Sequence, residues 1–200
     1  KNYMEKGWVG IDESNHGRYP EIYVAVFSQY PQDASPVIGL KKNRNKGNLD
    51  LILKERDFRF ILIPKEYKNF LSPNDIAVVN VVEFIKYFTR NKPEYQIKYF
   101  IDGEFKQSYL NKIDRVLYPI RTPEIIIESK ADVRYPVVNK ADYIARLLHN
   151  KYNKESDLPK YLFEKIITPR LEDYLEVISE SKNEKQKLFR KPYHLINGKR

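Results

Sequence analysis

Short apolar runs alternate with longer stretches of helical periodicity along this chain. Trp8, Val9 and Ile11 lead into Asp12 and Glu13, and after a Gly-bounded polar loop residues 21–28 read as the partner strand of a hairpin. Leu51-Ile52-Leu53 and residues 58–63 are further strand-like runs, the second closed by Pro64. Ser72, Pro73 and Asp75 are an N-cap, a first helical residue and an acidic first turn. They predict a helix through Ile76, Val79, Val82, Ile85 and Phe88 to about Arg90. Its β-branched residues disfavour a helix, but length and cap outweigh them. Residues 94–101 are strand-like and end at Asp102-Gly103, residues 105–117 suit an amphipathic helix, and residues 124–128 form a short apolar strand before Ser129-Lys130-Ala131-Asp132. Ala141, Ile144, Ala145 and Leu148 give a helical stripe over residues 137–152. Thr168 and Pro169 divide the C-terminal region into a helix near residues 161–167 and another carrying Leu171, Tyr174, Leu175 and Ile178. This order places the chain in the α/β class, with a mixed central sheet flanked by helices and C-terminal helices added. Residues 1–155 read as the main unit, and residues 156–200 as a helical extension with a basic tail packed on it.

Composition narrows the chemistry. The 200 residues suffice for one domain with a substantial core, and no apolar run approaches the ~20 residues of a membrane helix. Cysteine is absent, which excludes disulfides and thiolate metal sites, and the three histidines (His16, His149, His194) are scattered, which disfavours zinc. Any metal would be held by oxygen. The start of the chain shows no charged-then-apolar leader pattern, so a cytoplasmic location is expected. The net charge of +9 is uneven: seven basic residues against one acid over residues 181–200 leave only +3 for the first 180. A solvated lysine-rich surface is one reading of this. A basic arm that follows a phosphate backbone is the other; its candidate contacts are Lys41, Lys42, Arg44 and Lys46 in a long Pro/Gly/Asn-rich loop, and Lys185, Lys187, Arg190 and Lys191 in the tail.

Three places put an acid at the end of an apolar strand: Asp12 with Glu13, Asp102, and Asp132. Hard divalent cations such as Mg²⁺ and Mn²⁺ need oxygen ligands, and a two-metal phosphodiester site needs several carboxylates around two ions ~4 Å apart. Strand tips are suitable donors because the sheet fixes their positions. Acids at strand ends also serve simply to solvate a sheet edge.

In sequence order, Gly10-Ile11-Asp12-Glu13-Ser14-Asn15-His16-Gly17, then Ile101-Asp102-Gly103, then Lys130-Ala131-Asp132-Val133-Arg134-Tyr135-Pro136-Val137-Val138-Asn139-Lys140-Ala141-Asp142-Tyr143-Ile144-Ala145-Arg146 resemble the motifs of type 2 ribonuclease H, most closely its archaeal form. That family has a strand ending G-I-D-E-A-G-R-G, a strand ending D-G, and a segment of the type K-A-D-x-K-Y-P-V-V-S-A-A-S-I-L-A-K. The resemblance covers residues 8–148, with residues 1–155 as its catalytic domain. It implies a ribonuclease H-like fold and Mg²⁺- or Mn²⁺-dependent hydrolysis of a phosphodiester in RNA:DNA hybrid or other structured DNA or RNA. The family's metal-binding acids fall on Asp12, Glu13, Asp102 and Asp132. The family's Gly-Arg-Gly, whose backbone reads the 2′-hydroxyl, is replaced by Asn15-His16-Gly17, which leaves the requirement for a ribonucleotide open. Ile11-Asp12-Glu13-Ser14 with Ala141-Asp142-Tyr143-Ile144-Ala145 also resembles a second, uncharacterised branch of the same superfamily, in which Asp142 would replace or join Asp132.

Other residues have two readings. His16 is either a surface loop histidine or a group that positions phosphate or protonates a leaving oxygen. Arg18, Arg134 and Arg146 either contact phosphates, as Asn15 and Gly17 would through the same loop, or pair with neighbouring acids. Asp142 and Arg146, at i and i+4, fit a surface ion pair as well as a ligand role for Asp142. Most tyrosines, among them Tyr23, Tyr99 and Tyr174, fall at core-facing positions. The functional classes are then a metal-dependent nuclease and, alternatively, a catalytically altered nucleic-acid-binding or assembly protein on the same scaffold.

Overall fold

Five strands form one mixed sheet in the order β3-β2-β1-β4-β5. They are β1 (Glu5–Ser14), β2 (Glu21–Ser28), β3 (Phe58–Ile63), β4 (Tyr95–Asp102) and β5 (Glu124–Glu128). The computed structural model describes residues 4–14, 21–40, 56–63, 65–69, 71–104, 107–151, 158–170 and 173–174. The expected strand at Leu51-Ile52-Leu53, the loop residues Asn15, His16, Gly17 and Arg18, the basic loop Lys41, Lys42, Arg44 and Lys46, the tail residues Lys185, Lys187, Arg190 and Lys191, and most of the helix expected after Thr168 lie outside the described residues.

β1, β2 and β3 are antiparallel neighbours, whereas β4 and β5 run parallel to β1. Parallel neighbours need crossover connections, and helices supply them. They are α1 (Pro73–Asn91), α2 (Gln107–Leu117), α3 (Pro136–Lys151) and the single turn α4 (Lys160–Phe163). α1 starts as the sequence predicts: the Ser72 hydroxyl accepts the Asp75 N–H at 3.2 Å and donates to the Asp75 carboxylate at 2.7 Å. Ile76, Val79, Val82, Ile85 and Phe88 are all buried against the sheet face that carries Val9, Ile11, Tyr99 and Ile101. Burial on this scale overrides the weak helix propensity of the valines. Tyr23, Tyr99 and Tyr174 are buried as expected.

The opposite sheet face is covered by α3. Ala141, Ile144, Ala145 and Leu148 pack on Ile22, Val24, Phe58 and Phe60, while Val137 and Val138 pack with Phe100. One expected element differs. Instead of a helix over residues 161–167 there is one turn at Lys160–Phe163, after which Ile166 makes a parallel bridge to Phe60. The Phe60 N–H donates to the Lys165 carbonyl and the Ile167 N–H to the Phe60 carbonyl. β3 is a sheet edge, and its unpaired backbone groups capture this segment in extended form, which local helical spacing cannot reveal. No helix among the described residues is long and apolar enough to cross a membrane.

Candidate functional site

The acid-bearing strand tips converge because β1 and β4 are adjacent and parallel. Ile11 pairs with Ile101, so Asp12 and Asp102 come next at the same level, and Asp102 pairs with Glu128 at the end of β5. Successive strand residues face opposite sides. Val9 and Ile11 face α1, while Gly10 lies against the first turn of α3. Asp12 shares the α3 side with Gly10, and Glu13 shares the α1 side with Ile11.

Two segments bring further acids to the α3 side. After β5, Lys130 takes φ 64° and leads into a 3-10 turn at Ala131–Val133. This turn is tied down at several points: the Ala131 N–H donates to Asp102 Oδ1 at 2.7 Å, and Asn139 Nδ2 to the Asp132 carbonyl at 2.8 Å. Tyr135 OH and Arg134 Nη1 donate to the two oxygens of Glu128, at 2.9 and 2.6 Å. Asp132 is thereby buried beside the strand tips. Asp142 reaches the same place from α3 and is 7% exposed. It does pair with Arg146, at 2.8 Å, as a buried carboxylate against an arginine whose side chain is 37% exposed.

Lys130 is the one non-glycine residue with positive φ among the described residues. A side chain in this conformation costs about 1 kcal/mol, so Lys130→Gly is expected to be neutral or stabilising by up to ~1 kcal/mol in urea melts, after glycine's larger unfolded-state entropy. A loss of stability instead would show that the lysine side chain holds the turn.

The electrostatic result is concentrated on Asp12, which is 6% exposed. Burial pushes its carboxyl well above the ordinary range, and the charges of Asp102, Asp142 and Asp132 add to the rise. The Glu13 N–H, at 2.6 Å from Asp12 Oδ1, opposes it. Asp12, Asp102, Asp132 and Asp142 therefore share one field, and bringing in positive charge would relieve their repulsion. The donor set is all oxygen, which suits a hard divalent cation. As the side chains stand, no three His, Asp or Glu among the described residues form a closed cage.

Glu13 borders a cavity of about 340 Å³ that opens beside Asp12 and Asp102 and continues under α1. Its described lining includes Glu21, Tyr23, Glu104 and Tyr109 and no lysine or arginine. Glu21, Tyr109, Asn139 and Glu128 are site neighbours not singled out by the sequence motifs. Glu128 carried the same signal as Asp102, an acid ending an apolar strand; the other three carry none, because only the tertiary arrangement brings them to the site.

Sheet order, helix placement and superposition on solved structures define a ribonuclease H-like α/β fold. The solved structures include Bst-RNase HIII in complex with Mn²⁺ and a single-site mutant of Bst-RNase HIII, each with TM-score 0.51 and 16% identity over 72% of this chain and 52% of that chain. RNase HII of Archaeoglobus fulgidus, from a PCNA complex, gives TM-score 0.47 and 16% identity over 78% of this chain and 85% of that one. The fold assignment rests on the first two. This chain spans about half the length of the Bst-RNase HIII chain it matches. No family model and no curated protein matches the sequence.

Proposed function

We propose that the protein is a metal-dependent nuclease that hydrolyses a phosphodiester in RNA:DNA hybrid or other structured nucleic acid. The observation that carries this reading is the gathering of buried Asp12, Asp132 and Asp142 with Asp102 from four segments of the chain, where burial and then the neighbouring acids raise the Asp12 carboxyl. Asp12, Glu13, Asp102 and Asp132 would hold Mg²⁺ or Mn²⁺, with Asp142 as an additional ligand. The Mn²⁺ complex of Bst-RNase HIII supports divalent metal use on this fold. Such a metal lowers the pKa of an attacking water and offsets charge on the leaving 3′ oxygen.

The chain's own residues prepare the site. The Ala131 N–H fixes the orientation of Asp102, and Asn139 holds the backbone that carries Asp132. Asp12 is largely buried at the tip of β1. Arg146, paired with Asp142 and partly exposed, would offer its guanidinium to a phosphate.

The competing reading, a nucleic-acid-binding protein without cleavage, draws on the open spacing of the acids and the Asp142–Arg146 pair. Paired substitutions separate the two. Asp132→Asn and Asp142→Asn are each expected to lower Mn²⁺-dependent cleavage about 100-fold or more, equivalent to ~2.7 kcal/mol. Full activity in Asp142→Asn would reduce Asp142 to a partner of Arg146. If the wild type cleaves nothing, the binding-only reading stands.

A further inference from the structure

The sheet face that carries Asp12 continues, at the other end of the same strands, into a groove that the carboxylate site does not use. Side chains of β1 alternate, so Lys6 and Trp8 share the α3 side with Gly10 and Asp12. Across the parallel ladder Lys6 pairs with Gln96 and Trp8 with Lys98, and Lys98 pairs in turn with Glu124 at the start of β5. The first turn of α3 lies over Gly10, and Trp8 packs against the cluster of Phe100, Tyr135, Val137 and Val138. Beyond that turn the face opens: Lys6 and Gln96 are exposed, and Trp8 and Lys98 are partly so. Together with Arg121, in the link before β5, these side chains line a groove of about 780 Å³.

Surface lysines and arginines ordinarily do no more than solvate a fold, and a partly exposed tryptophan is common. Here the two occur in one concavity with unbalanced charge. Lys6, Lys98 and Arg121 share the lining with one carboxylate, Glu124, which Lys98 already engages at 2.6 Å. Lys6 and Arg121 are exposed and have no ion-pair partner among the described residues. β1, β4 and β5 are consecutive in the sheet, so the cations spread over about 10 Å from β1 to the lead into β5. A spread row suits phosphates strung along a backbone, whereas a mononucleotide presents its charge at one point. An acidic peptide would satisfy the cations but leave the indole without a stacking partner, which a nucleic-acid base supplies. Bases within a duplex are already stacked on one another, so an indole takes a base only from an unpaired strand.

We propose that this groove binds a single-stranded nucleic-acid segment, with a base stacked on Trp8 and neighbouring phosphates on Lys6 and Arg121. It lies at the opposite strand ends from Asp12 and Asp102 and is a binding site separate from the carboxylates. The inference goes beyond the nuclease reading and does not depend on cleavage. It gives the protein a hold on unpaired strand that no residue of the carboxylate site supplies.

Trp8 is the one tryptophan of the chain, so its fluorescence reports on this groove directly. The test titrates the full chain, in EDTA, with a single strand of about ten nucleotides, within the range one such groove covers. The strand is expected to quench most of the emission. The double variant Lys6→Gln/Arg121→Gln, changed only at exposed side chains, should keep its folded circular dichroism spectrum. Its binding should weaken about tenfold or more, and its salt slope should fall by about 1.4, two phosphates at ~0.7 each. Anisotropy of a fluorescein-labelled strand extends the test to Trp8 itself. Trp8→Leu should weaken binding about fivefold or more, the loss of one stacked base, and Trp8→Phe should restore most of it. No binding, binding of the labelled strand without quenching of Trp8, or a titration unchanged in the double variant would overturn the proposal. Equal quenching by poly-glutamate would overturn it in favour of an acidic protein partner, and equal quenching by a mononucleotide in favour of a small-molecule site. Because no cleavage is read, failure in any of these ways leaves the nuclease reading standing, and a wild type that binds here but cleaves nothing refutes the nuclease reading alone.

Discussion

Asp12→Asn is expected to abolish Mn²⁺-dependent cleavage while making the metal-free protein more stable. The two effects have one cause. Asp12 is buried at the tip of β1, and its carboxyl is raised by burial and by Asp102, Asp142 and Asp132. The folded state therefore keeps a proton that the unfolded chain releases near the ordinary carboxyl value of about 3.9. An acid raised in the folded state contributes most to stability at and below its unfolded pKa. That contribution falls as pH rises toward the folded pKa and is flat beyond it. Asparagine carries no charge at any pH, so the variant lacks this fall. At pH 7 without metal its Tm should lie a few degrees above wild type, since ~1 kcal/mol corresponds to about 2–4 °C for a chain of this size. Below pH ~4 the difference should vanish. Adding Mn²⁺ should raise the Tm of wild type and leave Asp12→Asn nearly unmoved. A variant less stable than wild type at pH 7 would mean that the carboxylate is satisfied within the fold.

Gly10→Ala should be strongly destabilising. A Cβ at Gly10 would lie 2.6 Å from the Val138 nitrogen and closer still to the carbonyl carbon and oxygen of Val137. These are backbone atoms of α3, so no side chain can swing aside, and the helix itself must lift from β1. Overpacking usually costs about 1–3 kcal/mol, and a backbone clash belongs at the upper end, a fall of ~6–12 °C in Tm. Because α3 carries Asp142 and its first turn comes directly after the segment holding Asp132, cleavage should fall more steeply than stability does. Gly39→Ala is a useful contrast: it meets no atom within 4 Å and carries only the conformational cost of a left-handed backbone. A fold loss in Gly10→Ala no larger than that of Gly39→Ala would contradict the close approach of α3 to β1.

Much of this architecture is legible in the residues. Ser72-Pro73 marks the start of α1, and the stripe of Ala141, Ile144, Ala145 and Leu148 marks the buried face of α3; both lie where local chemistry places them. The strand tips at Asp12 and Asp102 are equally readable, because alternation and composition specify a strand whatever it pairs with. Pairing itself is not local. That β1 lies between β2 and β4, so that Asp12 and Asp102 are neighbours, depends on long-range contacts that a single sequence does not encode in any short stretch. The same limit explains Ile166, drawn into an extended bridge by the open edge at Phe60, and Asn139, whose side chain supports the backbone at Asp132. The Asp142–Arg146 pair is predicted by i,i+4 spacing, but the burial of Asp142 is not, since spacing gives proximity and says nothing of what covers the acid.

The most direct measurement is a cleavage panel of wild type, Asp12→Asn and Asp102→Asn in Mn²⁺ and Mg²⁺. Its substrates are an RNA:DNA hybrid, a lone ribonucleotide in duplex DNA, single-stranded DNA and duplex RNA. The carboxylate site predicts metal-dependent hydrolysis of at least one duplex substrate by wild type, lost in both variants while each keeps its folded circular dichroism spectrum. Full cleavage by either variant, or none by wild type with any substrate and metal, would contradict it.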